Sequence, residues 1–194
     1  AVLAEAAALR GLAGHRHRAR WEVAAVTRGQ SKVPAQSALA LYSDPGLDAV
    51  TIRPPSQADD TGADYASTGL TLGPHPLALL RPVLRRRRVL TARELHALPH
   101  GSHARVCGLV TMRQRPMTAS GTVFLTLEDE TGCVNAVVWP RVFEKQRAEL
   151  LSAHLLAIDG TLETDGEVHH LIADRLHDFS HLAAGLHSRS RDFC

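Results

Sequence analysis

A chain of 194 residues, 44% hydrophobic, holds enough apolar material for one ordinary domain or two small ones, and its 4% aromatic content leaves few residues for any stacking surface. No run of about eighteen apolar residues occurs, which excludes a spanning helix, and no basic stretch followed by an apolar one marks a secretory signal. The net charge of +2 is unevenly spread: residues 1–40 carry +4, 41–74 carry −4, 75–104 carry +5 and 105–194 carry −3.

Residues 1–27 read as helix, rich in alanine, with Leu9, Leu12, Arg16, Arg20 and Val23 on a partly apolar face. Gly11 and Gly14 leave two readings open, one helix or two short ones joined near Gly14 and His15. Residues 28–63 carry Pro34, Pro45, Pro54, Pro55 and several glycines, and read as a linker. Residues 64–100 form a connector. In it Pro76 suits the first turn of a short helix over Leu77 to Leu84, limited by Pro82. Four arginines follow, Arg85 to Arg88. Thr91 with Glu94 three residues on predicts a capped helix that ends before Pro99.

From residue 104 the apolar period becomes two. Strands are expected over Ala104 to Thr111, Thr122 to Glu128 and Cys133 to Trp139. Pro140 starts one helix carrying Phe143, Leu150 and Leu151. His154 to Leu162 and Glu167 to Ala173 then form a hairpin about Asp165 and Gly166. Three strands, a helix and two strands is the order of an oligonucleotide-binding barrel, whose ligand face is strands two and three with the loops beside them. The fold class is therefore α+β: an N-terminal helical segment plus a five-stranded OB-fold β-barrel with one helix. The barrel spans 101–179 and a tail spans 180–194.

The candidate nucleic-acid-binding residues follow from placement. Arg113 and Arg115 fall in the loop between strands one and two, either contacting phosphate or simply solvated. Phe124 has the parity opposite Val123, Leu125 and Leu127, so it faces out of the barrel, to stack a base or to lie under a neighbouring domain. Trp139 ends strand three, where packing against the following helix competes with base stacking. Arg86 and Arg87, within the arginine run, either grip DNA backbone or form a solvated connector. Glu128, Asp129 and Glu130 sit beside a strand-ending turn, which favours turn chemistry over a metal cluster. His177 and His181 are four apart, as on one helical face, with no third metal ligand placed by spacing. The cysteines, Cys107, Cys133 and Cys194, make no C-x-x-C pair; Cys107 and Cys133, in apolar strand-like runs, are expected as buried thiols of a reducing compartment, without a structural metal.

Gly108-Leu109-Val110, Arg113, Gly121, the run Phe124 to Gly132, Val137 to Pro140 and Phe143-Glu144 together resemble the C-terminal barrel of bacterial C-family DNA polymerases. Asp64-Tyr65 and Thr68 to Leu77, with Gly73-Pro74-His75-Pro76-Leu77, resemble the segment that precedes it, and Leu9 to Leu12 with Arg16 to Trp21 is similar to the end of that family's helix-hairpin-helix region. The arginine run and Ser190 to Phe193 look most like the error-prone, damage-inducible branch, which commonly closes with a histidine where Cys194 stands. The resemblance implies a larger polymerase, active in damage-induced mutagenesis and translesion synthesis, that adds nucleotides with magnesium. Its acidic triad is expected upstream of Ala1, so this chain is expected to carry no catalytic residue and no cofactor. Implied partners are single-stranded or primer-template DNA, mutagenesis accessory proteins and, through them, the sliding clamp, in the cytoplasm and away from membranes. A stand-alone module for tRNA or single-stranded DNA and a protein-docking barrel are the alternatives.

Overall fold

The computed structural model describes residues 3, 6–29, 52–68 and 71–183 and the backbone of 191–193. The chain divides into two compact units, Ala1–Gly73 and Pro74–Cys194.

The first unit is helical. Helices α1 (Arg10–Ala13) and α2 (Arg16–Gly29) are separated at Gly14, whose φ of +79° suits a residue without Cβ, so of the two readings of this region the broken one holds. Helix α3 (Gln57–Thr68) corrects the reading of residues 28–63 as linker throughout. It starts on a capping box, with the Asp59 amide donating to Ser56 Oγ at 3.2 Å and the Ser56 amide donating to Asp59 Oδ2 at 3.0 Å. Buried Arg16 ties α2 to α3, donating to the Asp60 carbonyl at 3.1 Å and to the Asp64 carboxylate. Thr71 Oγ1 donates to the other Asp64 oxygen at 2.7 Å. Arg16 and Asp64, both within segments that carry the family resemblance, are thus direct partners.

In the second unit a connector precedes the barrel. Helix α4 (Pro76–Arg86) has Pro76 in its first turn and continues past Pro82. His75 is its N-cap, Nδ1 accepting from the Leu77 amide at 3.2 Å, which explains the His-Pro-Leu pattern as a helix start. Burial lowers the His75 pKa. Helix α5 (Ala92–His96) begins with the expected capping box of Thr91 and Glu94.

The barrel strands are β1 (His103–Gln114), β2 (Val123–Asp129), β3 (Gly132–Val138), β4 (Leu155–Asp165) and β5 (Val168–Asp178). β1 pairs antiparallel with both β2 and β4, β2 with β3, β4 with β5, and the parallel β3–β5 pairing closes the ring. The short β6 (Arg191–Phe193) adds parallel to the end of β1. Alternation explains the core. Val123, Leu125 and Leu127 of β2 and Val134, Ala136 and Val138 of β3 turn inward to meet Val106, Val110, Leu156, Ile158, Leu162 and Leu171. At Gly160, where the β4–β5 register shifts, there is no space for a side chain; a Cβ there would lie 2.2 Å from the Ile172 carbonyl oxygen.

Three sequence readings are corrected here. The expected single helix after β3 is two, α6 (Pro140–Lys145) and α7 (Arg147–Ser152), broken at Gln146. Gln146 leaves the helix because its side chain serves β5: Nε2 donates to the Leu176 carbonyl at 2.8 Å and Oε1 accepts from the Leu176 amide at 2.9 Å. Strand β3 pairs with β5 only as far as Ile172, so this amide stands in for a missing strand neighbour. The hairpin loop is Gly166-Glu167, one residue later than expected, since Asp165 pairs with Val168 and Gly166 takes φ +58° at the first loop position. Finally, β1 runs on to Gln114, three residues past the expected end.

Candidate nucleic-acid interface

Strand register arranges the outward side chains in two rows. One row is Gln114, Phe124, Val137 and Ile172; the other is Met112, Thr126, Asn135 and His170. Of these, Met112, Gln114, Phe124, Thr126, Asn135 and His170 line a shallow groove of about 270 Å³ across β1, β2, β3 and β5, and Val137 is buried beneath it. Phe124 is 37% exposed within it, as its parity predicts. Thr126 Oγ1 donates to Asn135 Oδ1 at 3.2 Å, leaving the Asn135 amide nitrogen without a partner among the described residues. His170 Nδ1 is buried and likewise unmatched. Met112, Gln114, Asn135 and His170 escaped the sequence reading; only correct strand lengths and pairings reveal that they share a face.

The predicted arginines divide. Arg113 is 5% exposed, with its Nε donating to the Leu150 carbonyl at 2.8 Å and a terminal nitrogen donating to the Ala153 carbonyl. It turns inward because β1 continues through it, and it serves the carbonyls at the end of α7, so its expected phosphate contact is corrected to a structural one. Arg115 lies beyond the strand, exposed, its guanidinium 4.6 Å from the centre of the Phe143 ring. Trp139, the residue preceding α6, is 51% exposed, so of the two readings full burial against that helix does not hold.

In the connector, Arg87 lies over the Phe179 ring at 4.9 Å and Arg85 pairs with Glu94 at 2.7 Å. The Arg85 bond, with the Thr91 amide, holds the Glu94 carboxyl down to about 2. Arg86 is exposed and makes no ion pair among the described residues.

The acidic run behaves as turn chemistry. Asp129 Oδ1 accepts from the amides of Thr131 at 2.7 Å and Gly132 at 3.1 Å, while Oδ2 accepts from the Ala92 amide at the start of α5 at 2.8 Å. Glu130 is gripped by Arg81 through bonds of 2.5 and 2.7 Å. With both carboxylates so engaged, the run does not fit a magnesium site, and among the described residues no trio of His, Cys, Asp or Glu is placed to hold a metal. His177 sits on β5, not on a helix, and meets Asp159 at 3.0 Å. Asp159 also takes two bonds from Arg105 at 2.5 and 2.7 Å, and the Arg105 bonds and then His177 lower its pKa to about 2.

The two cysteines differ. Cys107 is buried as expected, and burial pushes its thiol up to about 12. Cys133 is exposed, correcting the expectation: it shares the outward parity of Asn135 on β3. Cys194 lies outside the described residues. A larger hollow, about 580 Å³, lies in the first unit beside His17, Arg53 and Asp59. Within it His17 Nδ1 meets the Arg53 carbonyl at 3.1 Å and Ser56 Oγ donates to Asp59 Oδ2 at 2.7 Å.

A closed five-stranded barrel with a groove across β2 and β3 defines the class, and residues 104–179 match the family described as OB-fold nucleic acid binding domain. Over 99% of its length the chain is similar to error-prone DNA polymerases, the branch its motifs resemble. It is 55% identical to the error-prone DNA polymerase of Pseudomonas fluorescens strain Pf-5 and 50% identical to that of Alkalilimnicola ehrlichii, in each case over 99% of this chain. It spans 18% of the length of these curated relatives. Among solved structures, asparaginyl-tRNA synthetase from Pyrococcus horikoshii aligns with a TM-score of 0.39 and 22% identity, over 47% of this chain and 23% of that one. No helix among the described residues is long and apolar enough to cross a membrane.

Proposed function

We propose that this chain is the nucleic-acid-binding portion of an error-prone DNA polymerase, with single-stranded template lying across the outer face of β2 and β3. The observation that carries this is Phe124, an aromatic left exposed near the start of a strand whose other large apolar residues are all buried. A base stacked on such a ring contributes about 1–3 kcal/mol. Trp139 offers a second stacking surface, Arg115 a cation beside the groove, and Arg86 and Arg87 further positive charge in the connector. The net −3 of residues 105–194 favours weak, salt-sensitive binding.

For the whole protein, the relatives' name supports template-directed nucleotide addition. Magnesium would supply charge neutralisation at the transferred phosphate, and no residue of this chain is assigned to hold it. Damage-induced mutagenesis, translesion synthesis, accessory proteins that reach the sliding clamp and a cytoplasmic site complete the proposal. Two assays test it. The purified chain should bind a single-stranded oligonucleotide at low salt, and primer extension with it should give no template-dependent incorporation above a no-protein control. The acidic balance of the barrel favours a second reading, a protein-docking barrel, which becomes the better account if no oligonucleotide binds at low salt.

A further inference from the structure

Phe143 carries two arginines. Its ring is 8% exposed; the Arg115 guanidinium lies 4.6 Å from its centre and that of Arg147 5.7 Å. Arg115 comes from the segment after β1, and Arg147 opens α7. Several arginines of this chain come with an acid, Arg16 with Asp60 and Asp64, Arg81 with Glu130, Arg85 with Glu94 and Arg105 with Asp159. Among the described residues, neither Arg115 nor Arg147 has a carboxylate within ion-pair distance. Both are exposed, so each guanidinium can meet an anion from solvent.

The geometry also suits an anion of a particular kind. A guanidinium resting on a ring uses its face, and its in-plane N–H donors remain for a bidentate contact with phosphate. Arg115 is restrained by the loop that curls back to it: one terminal nitrogen lies 3.4 Å from where a Cβ on Gly121 would stand. Gln114, the residue before Arg115, is the strand partner of Phe124, so the pair of cations begins one residue beyond the row that carries the exposed aromatic.

We infer that Arg115 and Arg147, mounted on Phe143, form a clamp for backbone phosphates of a single strand whose base lies on Phe124. The inference rests on the reading of that face as the nucleic-acid-binding one. It adds Arg147, which lies outside the strands and loop that the barrel pattern marks, and it makes Phe143 a support for the clamp as well as a core residue.

The test is fluorescence anisotropy of a labelled oligothymidylate against the full 194-residue chain, over a series of salt concentrations. Arg115→Gln, Arg147→Gln, the double variant, Arg147→Lys and Phe124→Ala are compared. Each glutamine should reduce the log–log salt slope by about 0.7, the double variant by about 1.4, and Arg147→Lys should keep the slope. The losses should be the same on oligoadenylate, because phosphate carries no base identity. Urea unfolding midpoints check that both arginine variants remain folded; if Arg115→Gln is unstable, the Arg147 pair alone decides. A double variant with the wild-type slope overturns the clamp, and if Phe124→Ala still weakens binding, the face reading survives. A double variant with a reduced slope beside a Phe124→Ala that binds like wild type supports the clamp and removes the stacking. Absence of wild-type binding at low salt overturns both.

Discussion

Arg113 joins β1 to the end of α7 through its guanidinium on the carbonyl oxygens of Leu150 and Ala153, with its Nε 2.8 Å from the former. These carbonyls lie where a helix leaves acceptors without intrahelical donors, and a cation there is favoured by the helix dipole as well. Replacing it with methionine keeps much of the side-chain volume but leaves buried carbonyls unmatched. The expected result for Arg113→Met is a loss of about 2–4 kcal/mol of stability, measured by urea unfolding. The salt slope of oligonucleotide binding, measured on the folded variant, should be that of the wild type. A reduced slope at full stability would restore Arg113 to the phosphate-contacting set.

Gly160 has no room for a side chain. With the Ile172 carbonyl oxygen 2.2 Å from the position of a Cβ, Gly160→Ala must move β4 away from β5. The expected cost is about 2–4 kcal/mol in urea unfolding. Gly166→Ala meets no atom within 4 Å but is strained at φ +58°, and should cost only about 1 kcal/mol. Equal costs at the two sites would contradict this account of strand spacing.

Asp159 makes the barrel sensitive to acid. Its carboxyl is depressed from 3.8 to about 2, chiefly by Arg105 and then by His177. A depressed carboxyl contributes stability that is fully present above its unfolded value and lost as pH falls through the folded one. Unfolding free energy should therefore decline between pH 3.8 and about 2, and Asp159→Asn should flatten that decline while lowering stability at neutral pH. An unchanged acid profile in Asp159→Asn would sink the assignment.

Thiol accessibility separates the cysteines. In a Cys194→Ser background a thiol reagent should modify Cys133 in the native protein and Cys107 only on unfolding. Burial raises the Cys107 thiol, and partial desolvation with the nearby Glu128 and Asp129 carboxylates raises that of exposed Cys133, so reaction at Cys133 should quicken as pH rises. Equal native rates for the two would contradict the strand parity described here.

The barrel was legible because its signals are local: alternation over β2 and β3, the Thr91–Glu94 capping box, proline at the start of α4 and α6. Phe124 followed from parity alone. Arg113 misled because Arg-Gln-Arg-Pro reads as loop, whereas β1 persists through Gln114, and because the register shifts between Val110 and Met112, so that strict alternation from inward-facing Val110 would have left Arg113 outward. Cys133 was misplaced although Val134, Ala136 and Val138 already marked the opposite parity as the buried one. Helix α3 hid in a stretch of Asp, Thr, Ser and Gly62, yet Ser56 and Asp59 announced its start. Gln146, the two residue rows and the Arg147–Phe143 contact depend on pairings between distant segments, which no local period encodes.

The most direct measurement for the central claim is the affinity of a single-stranded oligonucleotide for the wild-type chain and for Phe124→Ala at low salt, where screening is weakest. Stacking on Phe124 predicts a loss of about 1–3 kcal/mol, roughly 5- to 150-fold in Kd, with the salt slope unchanged because no phosphate contact is removed. Wild-type affinity in Phe124→Ala, with the variant folded, would contradict the placement of the strand on this face.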